Sequence, residues 1–99
     1  MSIRFKTIVS AIEDTYDIPC NSIMSEERTK NIAEARMVAM YICRTLGGMT
    51  YVEIGEIFHR KHTTAMHACR FVKGMLKTKV FLQQYNALLK LIHRSSNVN

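Results

Sequence analysis

TYVEIGEIFHRKHTTAMHACR, residues Thr50 to Arg70, reads as two helices joined by a turn of about three residues, the spacing of a helix-turn-helix. Thr50 with Glu53 three places on is a capping box, in which hydroxyl and carboxylate each take a backbone N–H. Val52, Ile54, Ile57 and Phe58 give the first helix one apolar side. His59-Arg60-Lys61 make a polar, basic turn. His62-Thr63-Thr64 then open a second helix, whose inward face at helical spacing is Ala65, Met66, Ala68, Cys69 and Val72. A helix whose exposed N-terminal end carries Arg, Lys, His and Thr suits a major groove and its flanking phosphates.

The rest of the chain supplies a body for this pair. Ninety-nine residues make a single domain over 1–99, large enough for one core without metal or disulfide support. The 47% hydrophobic content, one Pro and four Gly argue against disorder, and long 3.6-residue periodicities point to an all-α chain. The first helix is expected from about Ile3 to Tyr16, burying Phe5, Ile8, Val9, Ile12 and Tyr16. Asp17-Ile18-Pro19 stops it, and Pro19 suits the first position of a short helical turn through Met24. A polar connector, Ser25 to Asn31, leads to a helix ending near Leu46, with Ile32, Ala35, Ala39, Met40, Cys43 and Leu46 inside. Its start has several candidates: an Asn31–Glu34 capping pair, Ser25 or Thr29. Arg36 and Arg44 fall off its apolar stripe, on a solvent face. Gly47-Gly48 stops it. The second helix of the motif extends to about Lys77. A last helix, Lys79 to about Arg94 with Thr78 as its cap, is expected to bury Phe81, Leu82, Tyr85, Leu88, Leu89 and Ile92, with a frayed end from Ser95 to Asn99.

Charge is distributed unevenly. The net charge is +6, and all eight acidic residues lie at or before Glu56. From Ile57 onward there are no carboxylates, eight Lys/Arg and all four His. A half-chain of one sign, directly following a helix-turn-helix pattern, is an electrostatic footprint for phosphate. Cys20, Cys43 and Cys69 show no metal-type spacing, and the last two fall on apolar helix faces, as small buried hydrophobes in a reducing, cytoplasmic setting. No signal peptide and no membrane-length apolar run is visible. His62 and His67 are five apart and do not share a helix face, so no metal site is expected. No nucleophile has an adjacent base, so neither enzyme chemistry nor a cofactor is expected.

Ala35-Arg36 with Met40, Glu53-Ile54-Gly55 through Phe58, His62-Thr63-Thr64 and His67-Ala68-Cys69-Arg70 together resemble the C-terminal DNA-binding domain (domain IV) of the bacterial replication initiator DnaA. The likeness runs from the first helix to about Met75. It implies a Trp-repressor-like bundle of five to six helices and double-stranded DNA as ligand. It further implies a loop Arg in the minor groove and a recognition helix in the adjacent major groove, at A/T-rich sites beside replication origins. Carried over by position, Arg28 matches the minor-groove Arg, and Thr29 and Lys30 its backbone-contacting neighbours. Arg36 matches a phosphate-binding Arg. His62 and Thr63 match base-contacting positions, and Thr64 and His67 phosphate contacts. Tyr51 and Val52 fall where the family touches thymine methyls and nearby backbone.

There are departures. The family's turn reads Gly-Gly-Arg-Asp, whereas here His59-Arg60-Lys61 is one residue shorter and lacks the Asp. Arg60 and Lys61 read as phosphate contacts; Lys61 can alternatively donate to guanine, whereas the family's Asp accepts from cytosine. Glu26 and Glu27 replace basic loop positions. The ATPase phosphate loop, G-x-x-x-x-G-K-[ST], is absent. The chain therefore reads as an excised domain, lacking an ATPase domain or replication partner, or as a free-standing relative such as a phage or mobile-element regulator. Either would bind as a monomer on an asymmetric site. The competing class is a protein-interaction module built on Tyr51, Phe71 and the Met residues, with incidental basic charge. RNA binding lacks an interleaved aromatic platform. Selection from a random duplex library is expected to favour guanine over cytosine opposite Lys61; a retained cytosine would show that the side chain points elsewhere.

Overall fold

Five helices follow one another in the computed structural model, which describes residues 4–97. They are α1 (Phe5–Tyr16), α2 (Lys30–Thr45), α3 (Tyr51–Phe58), α4 (His62–Met75) and α5 (Lys79–Asn97). No strand occurs among the described residues. Ile3, the expected start of the first helix, lies outside them, as do the last two residues of the tail expected to fray; α5 itself continues through Asn97. The fold is therefore the expected all-α one, with five helices described. The Pro19 segment makes turns and no helix: Ser22 N–H donates to the Pro19 carbonyl, and Asn21 is left-handed.

Helix ends follow local chemistry. The Thr50–Glu53 capping box is formed in both directions, at 3.1 and 2.8 Å. Left-handed Gly48 (φ 64°) turns the chain out of α2, with Met49 N–H donating to the Cys43 carbonyl. Of the expected starts of α2, Thr29 is the one found, and none of the expected side-chain caps is formed. Thr29 stands at the N-cap without a side-chain hydrogen bond, and Glu34 instead accepts from the Tyr16 hydroxyl at 2.7 Å. Burial and that carboxylate push the Tyr16 phenol well above its ordinary pKa. The Thr78 hydroxyl likewise caps nothing downstream, donating back to the Met75 carbonyl.

The core is one cluster drawn from every helix, including Ile12, Ile23, Val38, Ile42, Ile54, Phe58, Val72 and Ile92. Phe58 is fully buried and meets Phe5 edge-on, ring centroids 5.6 Å apart, an arrangement that adds to its area burial. Helix α4 packs on both α2 and α3, and α1 packs on α2 and α5. Buried Ala35 and Ala39 on α2 and Ala65 and Ala68 on α4 are small enough to let the two backbones approach closely. Four residues assigned inward by periodicity face outward: Leu46, Val52, Met66 and Leu82 are exposed. Each sits at the edge of its apolar stripe, where periodicity cannot tell core from rim.

Gly55 shows why α3 contains a residue unfavourable to helices. A Cβ there would lie 2.6 Å from the Arg60 carbonyl oxygen and 3.2 Å from the His62 nitrogen. The turn between α3 and α4 crosses directly over this position. Gly→Ala inside a helix ordinarily stabilises by about 1 kcal/mol. Here the sign is expected to reverse: Gly55→Ala should destabilise by about 1–3 kcal/mol through overpacking against backbone, measured by urea unfolding. A stabilised variant would show that the turn moves away freely.

Candidate nucleic-acid interface

The motif's second helix begins at His62, with Lys61 as an extended N-cap residue (φ −70°, ψ 151°). The turn is three residues long, as expected, because His59 adopts the left-handed conformation (φ 57°, ψ 45°) that closes α3. Left-handed geometry is tolerated by His better than by most non-glycine residues. No side chain caps α4, so its first backbone donors remain open to an acceptor from outside, and the helix dipole favours an anion there. Lys61, His62, Thr63, Thr64 and His67 are all exposed.

Arg28, Thr29 and Lys30 occupy the second predicted segment, and all three are exposed. Residues 26–29 have no regular structure, and Lys30 begins α2. Residues 17–25 upstream are held from inside. Glu13, a buried acid on α1, accepts the Ile23 N–H at 3.4 Å. Arg36 donates Nε to the Ile23 carbonyl at 2.7 Å and Nη2 to Ser25 and Ser22 carbonyls at 2.7 and 3.4 Å. A loop backbone without ladder partners must find such donors when it is buried.

This corrects the placement of Arg36. It is not on a solvent face but 6% exposed, with Nε and Nη2 occupied by protein carbonyls. Burial, and next the charge of Arg60, lower its pKa. Arg60 also differs from a freely solvated charge. It is half-buried, donating Nη1 to the Phe58 carbonyl at 2.7 Å and Nη2 to the Ser25 carbonyl at 3.1 Å.

Two grooves run beside α4. One, of about 520 Å³, lies between α2 and α4 and brings together Arg36, Arg60, Thr64, His67 and Arg70 over an apolar floor that includes Met37 and Phe71. The other, of about 360 Å³, joins Tyr51 to Arg44, Met66, Arg70 and Lys73. Tyr51 lies beneath the Arg44 guanidinium, 4.5 Å from its ring centroid, a cation–π distance. Arg44 also donates to the Met49 carbonyl at 2.9 Å. Val52 points outward beside Tyr51, 56% exposed. Arg70 lines both grooves. Its signal was the 63, 66, 70, 73 spacing, which sets Thr63, Met66, Arg70 and Lys73 on one side of α4.

Residues 5–72 match the family model described as "Bacterial dnaA protein helix-turn-helix". The chain belongs to the DnaA helix-turn-helix family. Among similar proteins, the "Chromosomal replication initiator protein DnaA" of Spiroplasma citri is 37% identical over 89 residues, covering 88% of this chain. The chain spans about one fifth of that relative's length (20%). Within this DnaA-type domain, no described helix is long and apolar enough to cross a membrane.

Among the described residues, no three His, Cys, Asp or Glu side chains gather as metal ligands. Cys43 and Cys69 are buried, whereas Cys20 is exposed. Burial pushes the Cys43 thiol up to about 11 and also raises Cys69, so both stay protonated and shielded near pH 8. A thiol reagent at that pH is expected to modify one cysteine, Cys20, quickly, and all three only after unfolding; rapid modification of a second would place Cys43 or Cys69 outside the core.

Proposed function

We propose that the chain binds duplex DNA sequence-specifically, laying α4 in the major groove and Arg28 in the neighbouring minor groove. The reading rests chiefly on one observation: α4 offers an uncapped N-terminus with Lys61, His62, Thr63 and Thr64 exposed. Family membership supports it. In this reading His62 and Thr63 meet base edges, with Lys61 beside them on guanine or on a phosphate. Thr64, His67 and the open α4 amides hold phosphate oxygens, and Thr29 and Lys30 flank Arg28 on the backbone. Tyr51 and Val52 present apolar surface to thymine methyls.

The sites bound would be origin or origin-like sequences, met by one protomer at a time. Origin opening would call on an ATPase module or replication partner that these residues do not provide. A regulator that occupies such sites without opening them is the other form of the same activity. The protein-interaction reading is less well supported by the geometry. Tyr51 is half-buried under Arg44 and Met40 is buried, and the exposed Phe71 and Met66 line two different grooves, each shared with cations.

Neutralising about six phosphates predicts a log–log salt slope of about −5; a hydrophobic partner interface would respond little. Thr63→Ala should cost about 1–3 kcal/mol on the preferred site and much less on random DNA, measured by fluorescence anisotropy at fixed salt. Equal losses on both DNAs would remove Thr63 from the base-reading set, and a slope near zero would remove DNA.

A further inference from the structure

The Ser25 carbonyl oxygen is shared by two guanidinium groups from different parts of the fold. Arg36 reaches it from α2 at 2.7 Å, and Arg60 reaches it at 3.1 Å from the turn between α3 and α4, 35 residues away in sequence. Arg60 also holds the Phe58 carbonyl at the end of α3, at 2.7 Å. One planar fork therefore bridges the end of α3 to the loop. Ser25 is three residues before Arg28, and Arg60 is two residues before His62. The segments carrying these two groups are thus joined by a single hydrogen-bonded node.

We propose that Arg60, acting with Arg36, is a positioning residue: it locks the Arg28 loop to the start of α4, so that the two groove contacts are set as one rigid unit. The proposal rests on the DNA-binding reading above and replaces the expectation that Arg60 neutralises a phosphate. Two observations favour the internal role. Both bonded Arg60 nitrogens point at main-chain carbonyls, and the side chain is half-buried against the turn. Moreover, the loop's own hydrogen bonds near Ser25 are few and local. The Ser25 hydroxyl donates to the Ser22 carbonyl and accepts the Glu27 N–H, leaving nothing in the loop itself to fix its distance from α4.

Arg60→Lys separates the two roles, because Lys keeps the charge but cannot span two carbonyls with a planar fork. A phosphate contact would survive this change almost intact. The positioning role predicts about a tenfold loss of affinity for the preferred site, less than about twofold on random DNA, and an unchanged salt slope. Selectivity should relax at the base pairs under Arg28, and in an Arg28→Ala background Arg60→Lys should have little further effect. Amide exchange in DNA-free protein provides an independent readout: the hydrogen-bonded amides of Ile23, Ser25 and Glu27 should exchange about tenfold faster in Arg60→Lys, with helix content unchanged by circular dichroism. Near wild-type affinity for Arg60→Lys, additive losses with Arg28→Ala, a salt slope reduced by about one in Arg60→Ala, or unchanged exchange would each overturn the proposal. A wild-type chain indifferent to every duplex would defeat the DNA-binding reading, and this proposal with it, whatever the exchange pattern.

Discussion

A buried guanidinium takes the place of secondary structure in this domain. Residues 17–29 run without a helix or strand, mostly at the surface, and Ile23 is the point at which this segment is fully buried. Its N–H is taken by Glu13 and its carbonyl by Arg36. A carbonyl left without a donor in such a place costs about 1–3 kcal/mol, and Arg36 serves three of them. Arginine suits this duty because its planar fork addresses several acceptors and keeps its charge even where burial and a second cation oppose it. The structure depends on this interaction because it pins the loop against α2, and α2 is the helix on which both α1 and α4 are laid.

The helix-turn-helix is built around a different constraint, the tightness of its turn. Gly55 lets the turn backbone pass within contact distance of α3, His59 accepts a left-handed conformation, and Arg60 N–H returns to the Gly55 carbonyl at 2.8 Å. Lys61 and His62 emerge directly from this arrangement, so the end of α4 is held by backbone geometry and not by a side-chain cap. An uncapped but rigid helix start is suited to an external anion, since its orientation costs nothing further on binding.

Charge acts over a longer range than either contact. The carboxylate-free half of the chain contains the turn, α4 and α5, while the acids lie before Ile57 and two of those with assigned partners, Glu13 and Glu34, work inside the protein. The excess of Lys and Arg after Ile57 adds a long-range attraction for a polyanion that precedes any specific contact. Arg70 and Lys73 in the grooves beside α4 extend that field along the helix.

By itself the sequence determined the all-α class, the helix-turn-helix, the Thr50–Glu53 capping box, the glycine stop after α2 and the residues at the start of α4. Those signals are local: periodicity, caps and turn residues act within a few positions of one another. It also carried the family resemblance, which depends on residue identity at matched spacing. Only the tertiary structure decided that Arg36 lies inside, that Arg60 bridges Phe58 and Ser25, that Glu13 is buried, and that Leu46, Val52, Met66 and Leu82 face out. These depend on partners 10 to 35 residues distant or on which edge of an apolar stripe meets a neighbouring helix, and no short window of sequence contains that information.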